Sequence, residues 1–120
     1  MARKYCWKTG CDVEATLSVI GGRWKPVLVC HLLQGRKRFG ELRRLVPNAT
    51  ERMITLQLRE LEADGVVSRH VYAEVPPRVE YDVTEFGQTL QPILEDMMAW
   101  GSMFKERMNA LETEDAAQTA

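Results

Sequence analysis

Apolar positions in the first half of the chain recur at helical spacing, and the blocks they form are separated by glycine and proline. Val13, Leu17 and Ile20 share one face from Asp12 onward, and Gly21-Gly22 ends the block, so a first helix is predicted over Asp12–Ile20. Pro26 suits a first helical turn, and Val27, Leu28, Cys30, His31 and Leu32 carry a second helix to the stop at Gly35. Phe39, Leu42 and Leu45 place one face on a short third helix, which Pro47-Asn48 turns off. Thr50 reads as an N-cap, and Ile54, Leu58 and Leu61, at i, i+4 and i+7, form the buried stripe of a fourth helix ending at Asp64-Gly65.

Beyond Gly65 the period changes from helical to two. Val66–Tyr72 and Val79–Val83 alternate and are rich in β-branched and aromatic residues, so they read as two strands joined by a loop at 73–78. Thr84 is placed to cap a last helix, Glu85 to about Asn109, whose wide apolar face holds Leu90, Ile93, Leu94, Met97, Met98, Trp100, Phe104 and Met108. Two short helices joined by a tight turn and followed by a hairpin predict an α+β winged helix-turn-helix fold. It has a two-stranded wing and additional N- and C-terminal dimerisation helices. Residues 1–11 form an N-terminal arm, 12–111 the winged domain, and 112–120 a polar, flexible tail.

Charge sharpens this reading. The formal net charge is only -1, yet residues 1–59 hold 12 Lys and Arg against 4 Asp and Glu, whereas residues 60–120 hold 4 against 13. A basic first half suits a polyanion-binding face, and an acidic second half suits assembly or a surface turned away from it. No apolar run approaches the roughly 20 residues of a membrane span. The basic segment Met1–Lys8 is followed by Thr9-Gly10-Cys11-Asp12 rather than an apolar stretch, so a cytoplasmic protein is expected.

Several motifs in order carry a family resemblance. They are Cys11–Leu17, Ile20-Gly21-Gly22-Arg23-Trp24-Lys25-Pro26, Lys37–Arg44, Gln57–Gly65, Pro76–Tyr81 and Leu94–Trp100. With them the chain resembles the HxlR-type branch of winged helix-turn-helix regulators, more distantly related to the MarR group. The resemblance implies a homodimer, binding to a double-stranded, near-palindromic DNA operator, and frequent control by thiol-reactive or carbonyl stress. Two positions depart from it: Asp12 stands where the family usually has proline, and Leu56 where a polar residue is common.

On the fourth helix Thr50, Glu51, Arg52, Thr55 and Arg59 lie off the apolar stripe. Arg52 is the main candidate base reader, since an arginine fork can meet guanine O6 and N7 together. Thr50 and Thr55 suit phosphate or a thymine methyl, and Leu56 an apolar contact. Lys37, Arg38, Arg43 and Arg44 flank the third helix, where they would position the protein on the phosphate backbone. Arg78, after Pro76-Pro77, reads as a wing-tip arginine for the minor groove, with an ion pair to Glu74 or Glu80 as its alternative.

By the same resemblance Cys11 is the regulatory thiol, answering to a small electrophile or oxidant. It lies just before a helix start, and its alternative is an inert interface thiol. No second cysteine matches the carboxy-terminal partner of some relatives, so alkylation, a mixed disulfide or a Cys11–Cys11 link between subunits is expected. Cys30, among valines and leucines, reads as a small buried hydrophobe, and Trp24 and Trp100 as packing aromatics. Cys6, Cys11, Cys30 and His31 lack zinc-ligand spacing, and no catalytic or cofactor motif is present, so no metal, cofactor or enzymatic activity is expected. Two other functions stay open: a winged-helix interaction module without DNA binding, and a regulator holding a non-covalent small-molecule ligand.

Overall fold

The computed structural model describes residues 10–119, with side chains for residues 10–118. The described residues divide into two compact units, one ending at Thr89 and one beginning at Leu90. The first holds α1 (Asp12–Ile20), α2 (Lys25–Leu33), β1 (Lys37–Arg38), α3 (Phe39–Leu45), α4 (Glu51–Ala63), β2 (Val67–Tyr72) and β3 (Arg78–Val83). A 3-10 turn at Gly87–Leu90 then leads into α5 (Gln91–Thr119). The fold is α+β, as the pattern predicts, with the helix-turn-helix pair α3 and α4 followed by the wing hairpin.

The core of the first unit is built from one side of each element. Leu28, Val29 and Leu32 of α2, Leu42 of α3, and Ile54, Leu58 and Leu61 of α4 are all buried, together with Val66, Val67, Tyr81 and Val83. Burying each such aliphatic side chain contributes about 1.5–3 kcal/mol. One charge joins them: Lys25, nearly buried at the start of α2, forms an ion pair with Glu60 of α4.

Chain punctuation explains the turns. Thr50 caps α4 by accepting a hydrogen bond from the Met53 backbone N–H at 3.1 Å, worth about 1 kcal/mol. At the other end Gly65 takes φ 78°, while Gly65 N–H bonds to the Glu62 carbonyl and Val66 N–H to the Leu61 carbonyl, a Schellman closure. That left-handed residue turns the chain from α4 directly into β2.

Several features differ from expectation. The sheet has three strands rather than two, in the order β1-β3-β2, because Lys37 pairs with Tyr81 and Arg38 with Glu80. Two residues flanked by helices carry no alternating pattern, so the strand exists only through its partner. In α1 only Ile20 is buried, leaving Val13 and Leu17 exposed, and in α3 Leu45 is exposed while Val46, just after it, is buried. Thr84 caps the 3-10 turn, accepting from Gly87 N–H at 3.0 Å, so α5 begins six residues later than Glu85. Residues from Glu112 to Thr119, expected to be a flexible tail, continue α5 as helix.

Taken by itself, α5 carries an uncovered stripe. Ile93, Met97, Trp100, Phe104, Met108 and Leu111 recur at gaps of 4, 3, 4, 4 and 3, which places them within about 80° of one another around the helix. All six are exposed, between 39% and 63%, and the Trp100 and Phe104 rings stack at 5.6 Å. Trp24 is therefore a packing aromatic of the core, whereas Trp100 lies on an open surface. No helix among the described residues is long and apolar enough to cross a membrane.

Gly87 sits where a side chain has no room. A Cβ there would collide with the Val66 carbonyl oxygen and come within 2.6 Å of the Val83 side chain. Gly87→Ala is expected to lower stability by about 1–3 kcal/mol, read as a reduced urea midpoint at unchanged slope. A wild-type midpoint would show that the turn relaxes freely.

Candidate nucleic-acid interface

Burial of Ile54, Leu58 and Leu61 determines what α4 shows to solvent. At 100° per residue Arg52, Leu56 and Arg59 point roughly opposite that stripe, with Thr55 on their flank. Arg52, Leu56 and Arg59 are exposed and Thr55 is half-buried. Arg52 and Arg59 stand about 10 Å apart along the helix. Neither makes an ion pair among the described residues, so both guanidinium forks are available to a ligand. The two threonines differ in what they have left to offer. Thr50 spends its acceptor on the cap and keeps its hydroxyl proton, while Thr55 donates that proton to the Glu51 carbonyl at 2.9 Å and keeps an acceptor and a methyl.

The turn before α4 is basic and braced. Arg43 reaches from the end of α3 to Glu51 at the start of α4, 3.6 Å away, and Arg44 projects into solvent without an ion pair among the described residues. Glu51 therefore restrains an arginine instead of standing alone beside the ligand face. A cleft of about 570 Å³ lies between the start of α3, the first turns of α4 and the wing, lined among others by Arg38, Glu51, Thr55, Arg69, Pro76 and Arg78.

The wing corrects one expectation. Arg78 is not at its tip: the ladder closes with Tyr72 opposite Arg78, so the tip is the apolar Val75-Pro76-Pro77, with Val75 fully exposed. The arginine is instead held on the sheet. Its guanidinium lies 4.1 Å over the Tyr72 ring and pairs with Glu74 at 3.3 Å and Glu80 at 3.4 Å, which is the alternative the sequence left open.

Register creates a polar sheet face that motif reading did not assemble. Ser68, His70 and Tyr72 of β2 stand opposite Asp82, Glu80 and Arg78 of β3, and Arg36 from the loop before β1 lies across them. It donates to the Tyr72 hydroxyl at 2.9 Å and to Asp82 at 3.5 Å, and it lies 3.6 Å from Glu80. Although desolvation opposes its charge, Tyr72, Asp82 and Glu80 together hold the Arg36 guanidinium more firmly protonated than usual. Glu80 also meets Arg38 at 3.8 Å, so three arginines converge on one half-buried carboxylate. Lys37, on the other parity of β1, is half-buried opposite Tyr81. The signal for Arg36 and Glu80 was the shared parity of Ser68, His70, Tyr72, Arg78, Glu80 and Asp82 across a five-residue loop.

The cysteines separate by environment. Cys11 is exposed at the N-cap of α1, where its backbone N–H donates to the Glu14 carboxylate at 3.0 Å. Asp12 and Glu14 make that first turn acidic. Cys30 is half-buried in α2, and burial pushes its thiol up. Cys6 lies outside the described residues.

Comparison with known proteins agrees with this architecture. The HxlR-like helix-turn-helix family model matches residues 19–109. YdeP of Bacillus subtilis (strain 168), an uncharacterized HTH-type transcriptional regulator, is 55% identical over 109 residues, covering 91% of this chain and 85% of its own. The redox regulator HypR in its reduced form is 55% identical with a TM-score of 0.79, over 83% of this chain and 99% of its own. Its oxidized form is 60% identical with a TM-score of 0.74, over 78% and 96%. With the matched helix-turn-helix and wing both in place, this chain belongs to the HxlR-like helix-turn-helix family of transcriptional regulators.

Proposed function

We propose that this regulator acts in the cytoplasm as a homodimer on a near-palindromic DNA operator, through residues 12–111. The outward face of α4 carries the reading: Arg52, Leu56 and Arg59 stand opposite a fully buried stripe, on the second helix of a helix-turn-helix. Arg52 reads a base, with Thr50, Glu51, Thr55 and Arg59 around it. Lys37, Arg38, Arg43 and Arg44 meet phosphates, and Arg78 contacts the backbone beside the wing once it exchanges its carboxylates for phosphate. Val13 and Leu17 of α1 and the apolar stripe of α5 each supply surface for a second copy. In such a dimer the two α4 helices meet successive major grooves, about 34–36 Å apart.

A switch at Cys11 belongs to the same proposal. Its exposure at a helix start supports it, as does similarity to a protein described as a redox regulator. In alkylation by a quinone the sulfur adds to a ring carbon and the thiol proton moves to the reduced ring. In oxidation by diamide two thiols lose two electrons and two protons to the reagent and join as a disulfide.

Arg52→Ala is expected to cost about 1–3 kcal/mol on operator DNA selected from genomic fragments and to relax preference at one base pair per half-site. Arg44→Ala should weaken operator and random duplex alike. Equal loss on both duplexes for Arg52→Ala would remove its role as a reader. Light scattering at micromolar concentration should give the mass of a dimer, and a monomer mass would refute the assembly. Diamide or quinone treatment should reduce operator affinity of wild type but not of Cys11→Ser; if both respond alike, or neither does, the switch is elsewhere.

A further inference from the structure

We infer that Glu80 restrains sequence-independent DNA binding by holding the arginines of the sheet face in internal ion pairs; this rests on the DNA-binding reading above. Its carboxylate, only 16% exposed, is approached by Arg36 Nη1 at 3.6 Å, Arg38 Nε at 3.8 Å and Arg78 Nε at 3.4 Å. Asp82 and Glu74 pair with the outer two of these arginines, at 3.5 Å and 3.3 Å. Three positive and three negative groups thus share one face, and its net field is small.

The consequence follows from counterion release. A guanidinium free in solvent exchanges bound water and ions for phosphate, and each such contact steepens the salt dependence of affinity. A guanidinium held by Glu80 must first leave a half-buried carboxylate, which is then unpaired beside the incoming polyanion. Arg44 and Arg52 have no such tether among the described residues. The chain therefore divides its cations: Arg44 and Arg52, untethered on the helix-turn-helix face, engage DNA at once, and those on the sheet engage only where the whole interface fits closely enough to offset breaking the Glu80 pairs. Random sequence, docked loosely, gains least from them.

Glu80→Gln keeps the side chain's size and one acceptor while removing the charge. Binding to a random-sequence duplex is measured by fluorescence anisotropy between about 50 and 200 mM salt. The variant should bind that duplex roughly threefold to tenfold more tightly at the low-salt end, with a slope of log affinity against log salt steeper by about one unit per arginine released. Glu112→Gln, which removes the same charge from α5, controls for net charge and should shift both quantities much less. Should Glu80→Gln fail to fold, Glu74→Gln on the exposed wing loop removes one of the two carboxylates that hold Arg78, leaving its pair with Glu80, and should move both quantities in the same direction by a smaller amount. A folded variant with unchanged or weakened random-duplex affinity, or one matched by Glu112→Gln, overturns the restraint. A wild-type protein that binds no duplex at all would instead remove the DNA-binding reading.

Discussion

The apolar stripe of α4 is the constraint on which the interface depends. Ile54, Leu58 and Leu61 have nowhere to go except the hollow formed by α2 and the sheet, and their burial leaves the helix no rotational freedom. Any rotation that carried Arg52 away from solvent would lift a leucine into water, at a cost of about 1.5–3 kcal/mol for each side chain exposed. The Lys25–Glu60 pair adds a directional check at the same contact, because separating the two would leave a nearly buried ammonium without a partner. Thr50 and Gly65 then set the two ends of the helix, so its first turn and its handover to β2 are both determined by short-range chemistry.

A second theme is that several of the arginines are tethered. Arg43 is tied to Glu51, Arg38 and Arg36 to Glu80, and Arg78 to Glu74 and Glu80. Exposed pairs of this kind contribute little to stability, about 0–1 kcal/mol each. Their value lies in geometry: they hold long side chains near one orientation, so less conformational entropy remains to be lost when a ligand replaces the carboxylate. The one acidic residue among the candidate contacts, Glu51, makes sense as a restraint on its basic neighbour Arg43.

The two thiols among the described residues show how a single residue type takes opposite characters. Cys30 sits among the apolar residues of α2, where desolvation disfavours its charged form. Cys11 stands at the surface, on a helix end whose next residues Val13 and Leu17 are also uncovered. A reagent reaches the Cys11 thiol from open solvent, whereas the half-buried Cys30 thiol is partly shielded by its neighbours.

The order of elements, the buried stripe of α4 and the exposure of Arg52 and Arg59 were legible in the sequence, because a helical period and its caps are local properties. The first helix, the third helix and the fourth helix stand where spacing, glycine and proline placed them. Charge asymmetry and the motif order likewise pointed to the family without coordinates. What the sequence could not contain was pairing across distance. β1 exists only because β3 offers Tyr81 and Glu80 to Lys37 and Arg38. Arg78 left the wing tip for the sheet because the hairpin register set it opposite Tyr72, and Glu80 became the meeting point of three arginines for the same reason. Local rules decide which face of each element is apolar, but which polar groups meet on the opposite face is decided by strand register, and register is settled only when the whole sheet has closed.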